Sequence, residues 1–321
     1  MKITKRVEEM YRKQLFSRCD DAGTAYYFSA EDFPGLAREP YEFSSPMGHR
    51  MQGYFYHYAD PVPGRVIVFD HGMGGGHRSY MKEIELLARH GFLVFAYDHT
   101  GCMESGGEST NGFAQSLNDL NACLTALKAD PSYADRKFSV IGHSWGAYAC
   151  LNISALHPDL SHIVTLSGPI SVEQMLRQSF SGPLRLFRKT ACRLEESANP
   201  DLVRHNAIES LQKTNAKVLV IHSADDPVVK AKFHFFPLRR ALEGKPNISF
   251  MLVENKAHNP NYTEDAVRYL GQCSAELKEK FKKGEFSDEQ KKREFVAKWD
   301  WNRMTAQDEK VWQKIFDVLD A

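Results

Sequence analysis

Gly142-His143-Ser144-Trp145-Gly146 sets a serine between two glycines where the chain changes pattern. The apolar run Phe138–Ile141 precedes it, and a helical pattern, Ala147–Leu156, follows. Such a pentamer arises by chance in roughly one chain of this length in ten, so its position gives it weight. A sharp strand-to-helix turn lifts a serine hydroxyl above a sheet, and the glycines remove side chains that would clash. The chemistry this permits is nucleophilic attack. An alcohol is a poor nucleophile at neutral pH, so Ser144 needs a base, and the base needs an acid to hold its tautomer. Asp225-Asp226-Pro227 follows the apolar run Val218–Ile221, and His258 follows Ile248–Val253. Asp226 is the expected acid, because Pro227 stiffens the turn behind it; Asp225 is then a turn residue. His258 is the expected base, since the other histidine beyond Asp226, His234, follows no strand.

A tetrahedral intermediate also needs two N–H donors aimed at its oxyanion. One is expected from Trp145, the residue after the nucleophile. The other is expected from Met73, in the loop His71-Gly72-Met73-Gly74-Gly75-Gly76 after the run Val66–Phe69. His71, Gly72, Gly74, Gly142 and Gly146 support these two loops. No Lys-Ser/Thr follows the glycines, so the loop is not a P-loop. His71, His77 and His99 lie on two loops without i, i+4 pairing, and no metal is expected there. His143 reads as a packed, hydrogen-bonded histidine.

These residues need a frame. Short apolar runs recur at Val66–Phe69, Phe92–Tyr97, Phe138–Ile141, Ile163–Leu166, Val218–Ile221 and Ile248–Val253. Runs buried on both faces mark parallel strands. Helical patterns at Ser79–His90, 114–129 and 145–156 alternate with them, which implies a parallel sheet covered on both sides. Both expected triad loops leave carboxyl ends of strands, where open parallel sheets place their sites. Before the sheet come an amphipathic helix over 3–18, with Ile3, Val7, Met10, Tyr11 and Leu15 on one side, and two strands, Tyr41–Ser45 and Gln52–Tyr58, around the turn Pro46-Met47-Gly48. The alternation breaks once, for about fifty residues between Ser167 and Lys217, far beyond an ordinary connection. Residues 172–213 read as a small helical cap inserted before the acid-bearing strand. Residues 1–171 and 214–321 form the core, with 1–40 an N-terminal extension and 262–304 a charged helical insertion whose charges face solvent.

Composition limits the remaining choices. The chain has 321 residues, with 41 Lys+Arg against 41 Asp+Glu. This balance does not favour nucleic acid as a partner. The basic residues of the first eighteen positions read as a solvated helix face rather than a stable membrane anchor. Six cysteines lie far apart with no Cys-x-x-Cys pair, as expected of reduced thiols. The N-terminus lacks the apolar stretch of a signal peptide, and no uncharged apolar run reaches the ~18 residues of a membrane span. A cytoplasmic protein is the expectation.

His71-Gly72-x-Gly74, Asp98-x-x-Gly101, Gly142-His143-Ser144-Trp145-Gly146, Asp226-Pro227 and His258 together resemble the α/β hydrolases of the monoacylglycerol lipase and serine aminopeptidase group. The resemblance covers roughly residues 50–260 and the last helix near 305–320. It implies the α/β-hydrolase fold, whose triad runs Ser, acid, His along the chain. It also implies a small-molecule acyl ester substrate, an acyl-enzyme and no cofactor. Three positions depart from the group's pattern. Met103 stands where a second glycine often follows Asp98-x-x-Gly101, Ala257 precedes the histidine where glycine is common, and Ser223 replaces a glycine at the end of the acid strand. The group also contains peptidases, and in an aminopeptidase Glu195 and Glu196 would hold the substrate amine. Acyltransferases and receptors with little turnover share the same fold.

Overall fold

The computed structural model describes residues 2–321, with side chains described from residue 5 onward. The side chain of Ile3 therefore lies outside the described residues. Among the described residues eight strands form one sheet: β1 (Ala37–Ser44), β2 (Arg50–His57), β3 (Arg65–Asp70), β4 (Leu93–Tyr97), β5 (Lys137–His143), β6 (His162–Leu166), β7 (Lys217–Ser223) and β8 (Ile248–Val253). Their order is β1-β2-β4-β3-β5-β6-β7-β8. β1 pairs antiparallel with β2, and β2 with β4; β3 through β8 and β4 pair parallel. Tyr41 was the expected start of the first strand, but β1 runs through Pro40. It can do so because β1 is an edge strand, where a missing N–H leaves no ladder partner unsatisfied.

Among the described residues there are also twelve α-helices. They are α1 (Lys2–Leu15), α2 (Met81–Arg89), α3 (Gln115–Ala129), α4 (Trp145–Asn152), α5 (Val172–Ser179), α6 (Arg188–Ala198), α7 (Ala207–Gln212), α8 (Phe235–Leu242), α9 (Glu264–Lys282), α10 (Glu289–Lys298), α11 (Trp301–Met304) and α12 (Glu309–Leu319). Alternation along the strands divides the core in two. Val66, Val68 and Val140 face a layer that includes α3, α4, α7 and α8. Ile67, Phe69, Ile141 and Leu219 face α2 and α12 on the other side. The strands carry apolar residues on both faces because both are covered.

The 172–213 interval contains α5, a 3-10 turn (Gly182–Phe187), α6 and α7. α7 belongs to the core layer and not to a cap. Ala207 and Leu211 are fully buried, and Ser210 bonds Asn152 of α4. α5 and α6 sit at the carboxyl edge. Gln178 of α5 bonds Val228 O and Lys230 N beyond β7, and Glu195 of α6 accepts from Tyr11 of α1 at 2.7 Å. Residues 262–304 form α9, α10 and α11 around their own small cluster of Cys273, Phe286, Phe295 and Met304. Among the described residues no helix is long and apolar enough to cross a membrane.

Between β3 and β4 the chain steps to one side, and between β4 and β5 it crosses to the other, so β3 and β5 are neighbours. Their register sets Asp70 beside Gly142. Loops leaving the two strands thus open side by side at a topological switch point, the usual crevice for a ligand in such a sheet.

Candidate active site

Ser144 occupies the turn between β5 and α4 with φ 55° and ψ −111°. A non-glycine residue held there stores of order 1–3 kcal/mol of strain. Its surroundings hold it in place. Ser144 N–H donates to Leu166 O on β6 at 2.8 Å, and Tyr148 N–H donates to Ser144 O at 3.0 Å. A Cβ on Gly142 would lie 2.6 Å from the Gly146 backbone, and one on Gly146 would collide with the Asp70 carbonyl. Gly142 is therefore required by the tightness of the turn itself, and Gly146 by its packing against β3.

The structure brings Ser144, His258 and Asp226 into one line. His258 Nε2 lies 2.8 Å from Ser144 Oγ, and its Nδ1 lies 2.8 Å from Asp226 Oδ2. Asp226 is 4% exposed. Its other oxygen accepts the N–H groups of Val228 and Val229 at 2.8 and 2.9 Å. Burial would raise its pKa, but the hydrogen bond and charge of His258, with the Val229 N–H, bring it below the usual aspartate value. Asp226 therefore stays ionised, with Nδ1–H of His258 directed at it.

Asp225 has a different task from a simple turn residue. Ser223 Oγ donates to Asp225 Oδ1 at 2.6 Å, and the N–H groups of Lys256 and Ala257 reach its two oxygens at 3.3 Å each. Ala257 has φ 45°, the left-handed region that favours glycine. Ser223 and Ala257, both departures from the resembling group, thus meet on one carboxylate that fixes the loop before His258. Lys256 anchors that loop from the other side, donating to Tyr262 O and Asp308 Oδ2 at 2.6 Å each.

Trp145 opens α4, where helix geometry leaves its N–H without an intrahelical acceptor. Its indole turns into the core and donates to Phe113 O at 2.5 Å. Gly72 lies against Ser144, since a Cβ there would be 3.4 Å from Ser144 Cβ. Met73 follows it, half-buried, and Gly74 follows with φ 94°. His71 is fully buried beneath this loop. Its Nδ1–H donates to Gly72 O at 2.8 Å, and its Nε2 accepts His99 N–H at 2.9 Å. Burial and the nearby His99 lower its pKa to about 3, so it is neutral. His99 itself sits between Asp70 and Asp119. Burial would lower its pKa, but the two carboxylates raise it to about 10. His77 is taken up by Asp98 at 2.8 Å. His71 and His99 are thus linked to each other, whereas His77 is held by Asp98 and Tyr56.

Tyr80 was not singled out from the sequence, yet it joins all three loops. His143 Nε2–H must donate to His258 O, at 2.8 Å, because a carbonyl only accepts. His143 Nδ1 is then an acceptor, and Tyr80 O–H donates to it at 2.8 Å. Gly72 N–H in turn donates to Tyr80 Oη at 3.1 Å. Burial, then the neighbouring His258, lowers the His143 pKa to about 3, which keeps this direction of bonding. The glycine loop after β3, the serine turn and the histidine loop are therefore linked by one tyrosine and one histidine. The only sequence sign of Tyr80 was its place at the start of the helix after the glycine loop.

Residues 65–216 match a protein family described as the alpha/beta hydrolase fold. Protein ABHD8 of Mus musculus is 29% identical over 124 residues, 37% of this chain and 27% of that protein. The match thus spans about a quarter of that relative's length. Protein YqkD of Bacillus subtilis is 25% identical over 249 residues, 74% of this chain and 79% of YqkD. Among solved structures, the Pyrococcus furiosus esterase Pf2001 superposes with a TM-score of 0.59 at 20% identity, covering 85% of this chain and 97% of that one. That likeness concerns the fold.

Proposed function

Because this chain is a member of the α/β-hydrolase superfamily, we propose that it is a serine hydrolase cleaving a carboxylic ester through an acyl-enzyme on Ser144. The observation that carries this is the continuous line from Ser144 Oγ through His258 to buried Asp226, with both links at 2.8 Å. His258 Nε2 takes the Ser144 proton as Oγ attacks the acyl carbonyl. Asp226 stabilises the imidazolium that forms. The N–H groups of Met73 and Trp145 receive the oxyanion. The leaving alcohol departs with the His258 proton. Water, activated by the same imidazole, then releases the acid.

An ester is favoured over an N-terminal peptide by the state of Glu195. Holding a substrate amine would require a free carboxylate. Glu195 is 0% exposed and accepts from Tyr11 Oη at 2.7 Å and Phe113 N–H at 2.8 Å. It is already committed to joining α1, α6 and the start of α3. In this reading α5 and α6 are the cap. A cavity of about 290 Å³ lies between α1 and α5, lined by Met10, Tyr11, Phe113, Met175, Leu176 and Phe180 among others. Phe113 O also holds the Trp145 indole, so this apolar wall adjoins the residue next to Ser144 and suits a hydrophobic acyl group.

The test is a panel of p-nitrophenyl acyl esters of graded chain length, run beside amino-acid anilides, with Ser144→Ala as control. Ester turnover should exceed anilide turnover, and Ser144→Ala should lower it at least ~10³-fold with the fold intact. Equal turnover by Ser144→Ala would overturn the mechanism. Anilide preference would favour a peptidase, and a transfer product with added alcohol or thiol would favour an acyltransferase.

A further inference from the structure

After α1 the chain lies strapped across the loop that follows β4. Arg18 Nη1 donates to the carbonyls of Ser105 and Gly107 at 3.0 and 2.7 Å, and Nη2 donates to that of Met103 at 2.6 Å. Ser109 and Thr110 hydroxyls reach back to the carbonyls of Phe16 and Leu15 at 2.5 and 2.8 Å. Between these ties the two segments run parallel. Cys19 N–H donates to Gly101 O at 2.8 Å, and Met103 N–H donates to Cys19 O at 2.9 Å. The strap thus also holds Met103, at φ 42°, in the backbone shape that glycine often supplies.

This bonding sets Cys19 directly opposite Cys102 in a parallel bridge. Opposed residues on neighbouring strands have Cα atoms about 5 Å apart. That lies inside the ~4.4–6.8 Å window a disulfide accepts. Both are free thiols, Cys102 buried and Cys19 partly exposed. Paired residues of a bridge point their side chains to the same face, which sets the two thiols side by side, next to the Gly74 backbone. Gly74 directly follows Met73, the proposed oxyanion donor.

We propose that Cys19 and Cys102 form a peroxide-responsive thiol pair, a modification site whose oxidation to a disulfide slows turnover at Ser144. The Cys19 thiolate attacks one oxygen of hydrogen peroxide, the O–O bond breaks, and hydroxide leaves to be protonated to water. Cys19 is then a sulfenic acid. The Cys102 sulfur attacks the Cys19 sulfur, the S–S bond forms, and the sulfenic oxygen leaves as water with the Cys102 proton. Two thiols are oxidised and one peroxide is reduced to two waters. The environment assists the first step. The hydrogen bond from Cys102 lowers the Cys19 pKa to about 7 against the opposing effect of burial, with Gly74 N–H and Arg18 adding to it. The same contact, and burial, push Cys102 well up. Cys19 is the nucleophile because the thiolate, not the thiol, reacts. Disulfide formation takes the charge away from Gly74 N–H and draws the sulfur toward Cys102, so the Met73–Gly74 backbone loses a partner that holds it.

The effect on turnover rests on the hydrolase reading above; formation of the disulfide does not. The experiment treats the whole protein with hydrogen peroxide, blocks remaining thiols by alkylation and maps unreduced peptides by mass spectrometry. A linked Cys19–Cys102 peptide should appear and vanish with dithiothreitol. Ester turnover should fall at least about fivefold in parallel, as expected for a displaced oxyanion donor, and return on reduction. Cys102→Ser should keep the turnover of the reduced enzyme and lose the response, with Cys102→Ala as a second variant if the first misfolds. Oxidation of Cys192 without the linked peptide would overturn the pair. An equal loss of turnover in Cys102→Ser, or a linked peptide with unchanged turnover, would overturn the regulatory effect. If the reduced enzyme turns over no ester at all, the hydrolase reading fails while the peptide map still decides the disulfide.

Discussion

Replacing Tyr80 with phenylalanine removes one oxygen and the two hydrogen bonds that meet on it. The ring remains against Phe69, 5.2 Å between centroids, so no cavity opens. Gly72 N–H and His143 Nδ1 each lose a partner. An unsatisfied buried group costs about 1–3 kcal/mol, and the half-buried setting argues for the lower part of that range for each. Together they should lower stability by about 2 kcal/mol, a fall in Tm of roughly 3–6 °C for a chain of this size. The kinetic effect has a ceiling in the 10²–10³-fold cost of deleting one oxyanion donor. Tyr80→Phe moves a donor and does not delete it, so kcat should fall about tenfold to thirtyfold with KM changed less than twofold. Steady-state kinetics on the best ester, beside a thermal melt, would measure both. A kcat within twofold of wild type, or a change confined to KM, would refute the claim that Tyr80 sets the geometry of the oxyanion loop.

Three further outcomes are expected. Asp226→Asn should lower kcat about 10⁴-fold by stabilising the wrong tautomer of His258, whereas Asp225→Asn, which weakens only the loop, should cost roughly tenfold or less; kcat for the two variants side by side checks the assignment, and equal losses would undo it. Gly146→Ala should abolish soluble folded protein, since its Cβ would strike the Asp70 backbone; a normal melting curve would contradict the packing described. Glu83 on α2, fully buried and bonded to Asn261 at 3.0 Å, has its pKa raised by burial from 4.5 to about 7. The unfolded chain ionises this group first, so its contribution to stability is full below about pH 4.5 and falls away as pH rises to about 7, by roughly 3 kcal/mol. Denaturation midpoints at pH 5 and pH 8 should therefore converge for Glu83→Gln more than for wild type, and parallel midpoints for the two proteins would exclude the buried charge.

The serine turn was legible because its signal is local: a strand, a Gly-x-Ser-x-Gly pentamer and a helix in direct succession. The alternating runs likewise located β3 to β8 within a few residues, since strands covered on both faces need apolar side chains throughout. What could not be read were partnerships between distant residues. Glu195 resembled a free acid for a substrate amine, and only its meeting with Tyr11 and Phe113 assigns it to joining helices. Ser223 and Ala257 stood as unrelated departures until Asp225 was seen between them. Met103 in a glycine position made sense only with the Cys19 strap alongside. α7 read as cap because it falls inside the roughly fifty-residue break before β7, while Ala207 and Leu211 in fact face α4 and the core layer. The edge strand ran past Pro40 for a reason visible only in the sheet order.

The central claim is that Ser144 Oγ is a nucleophile activated by His258. Incubation of the whole protein with a fluorophosphonate at neutral pH, followed by intact mass and peptide mapping, tests it without knowledge of the substrate. One adduct on the peptide carrying Ser144, absent from Ser144→Ala and much slower in His258→Ala, is the expected result. No adduct on the folded wild-type protein, or an adduct on another residue, would contradict it.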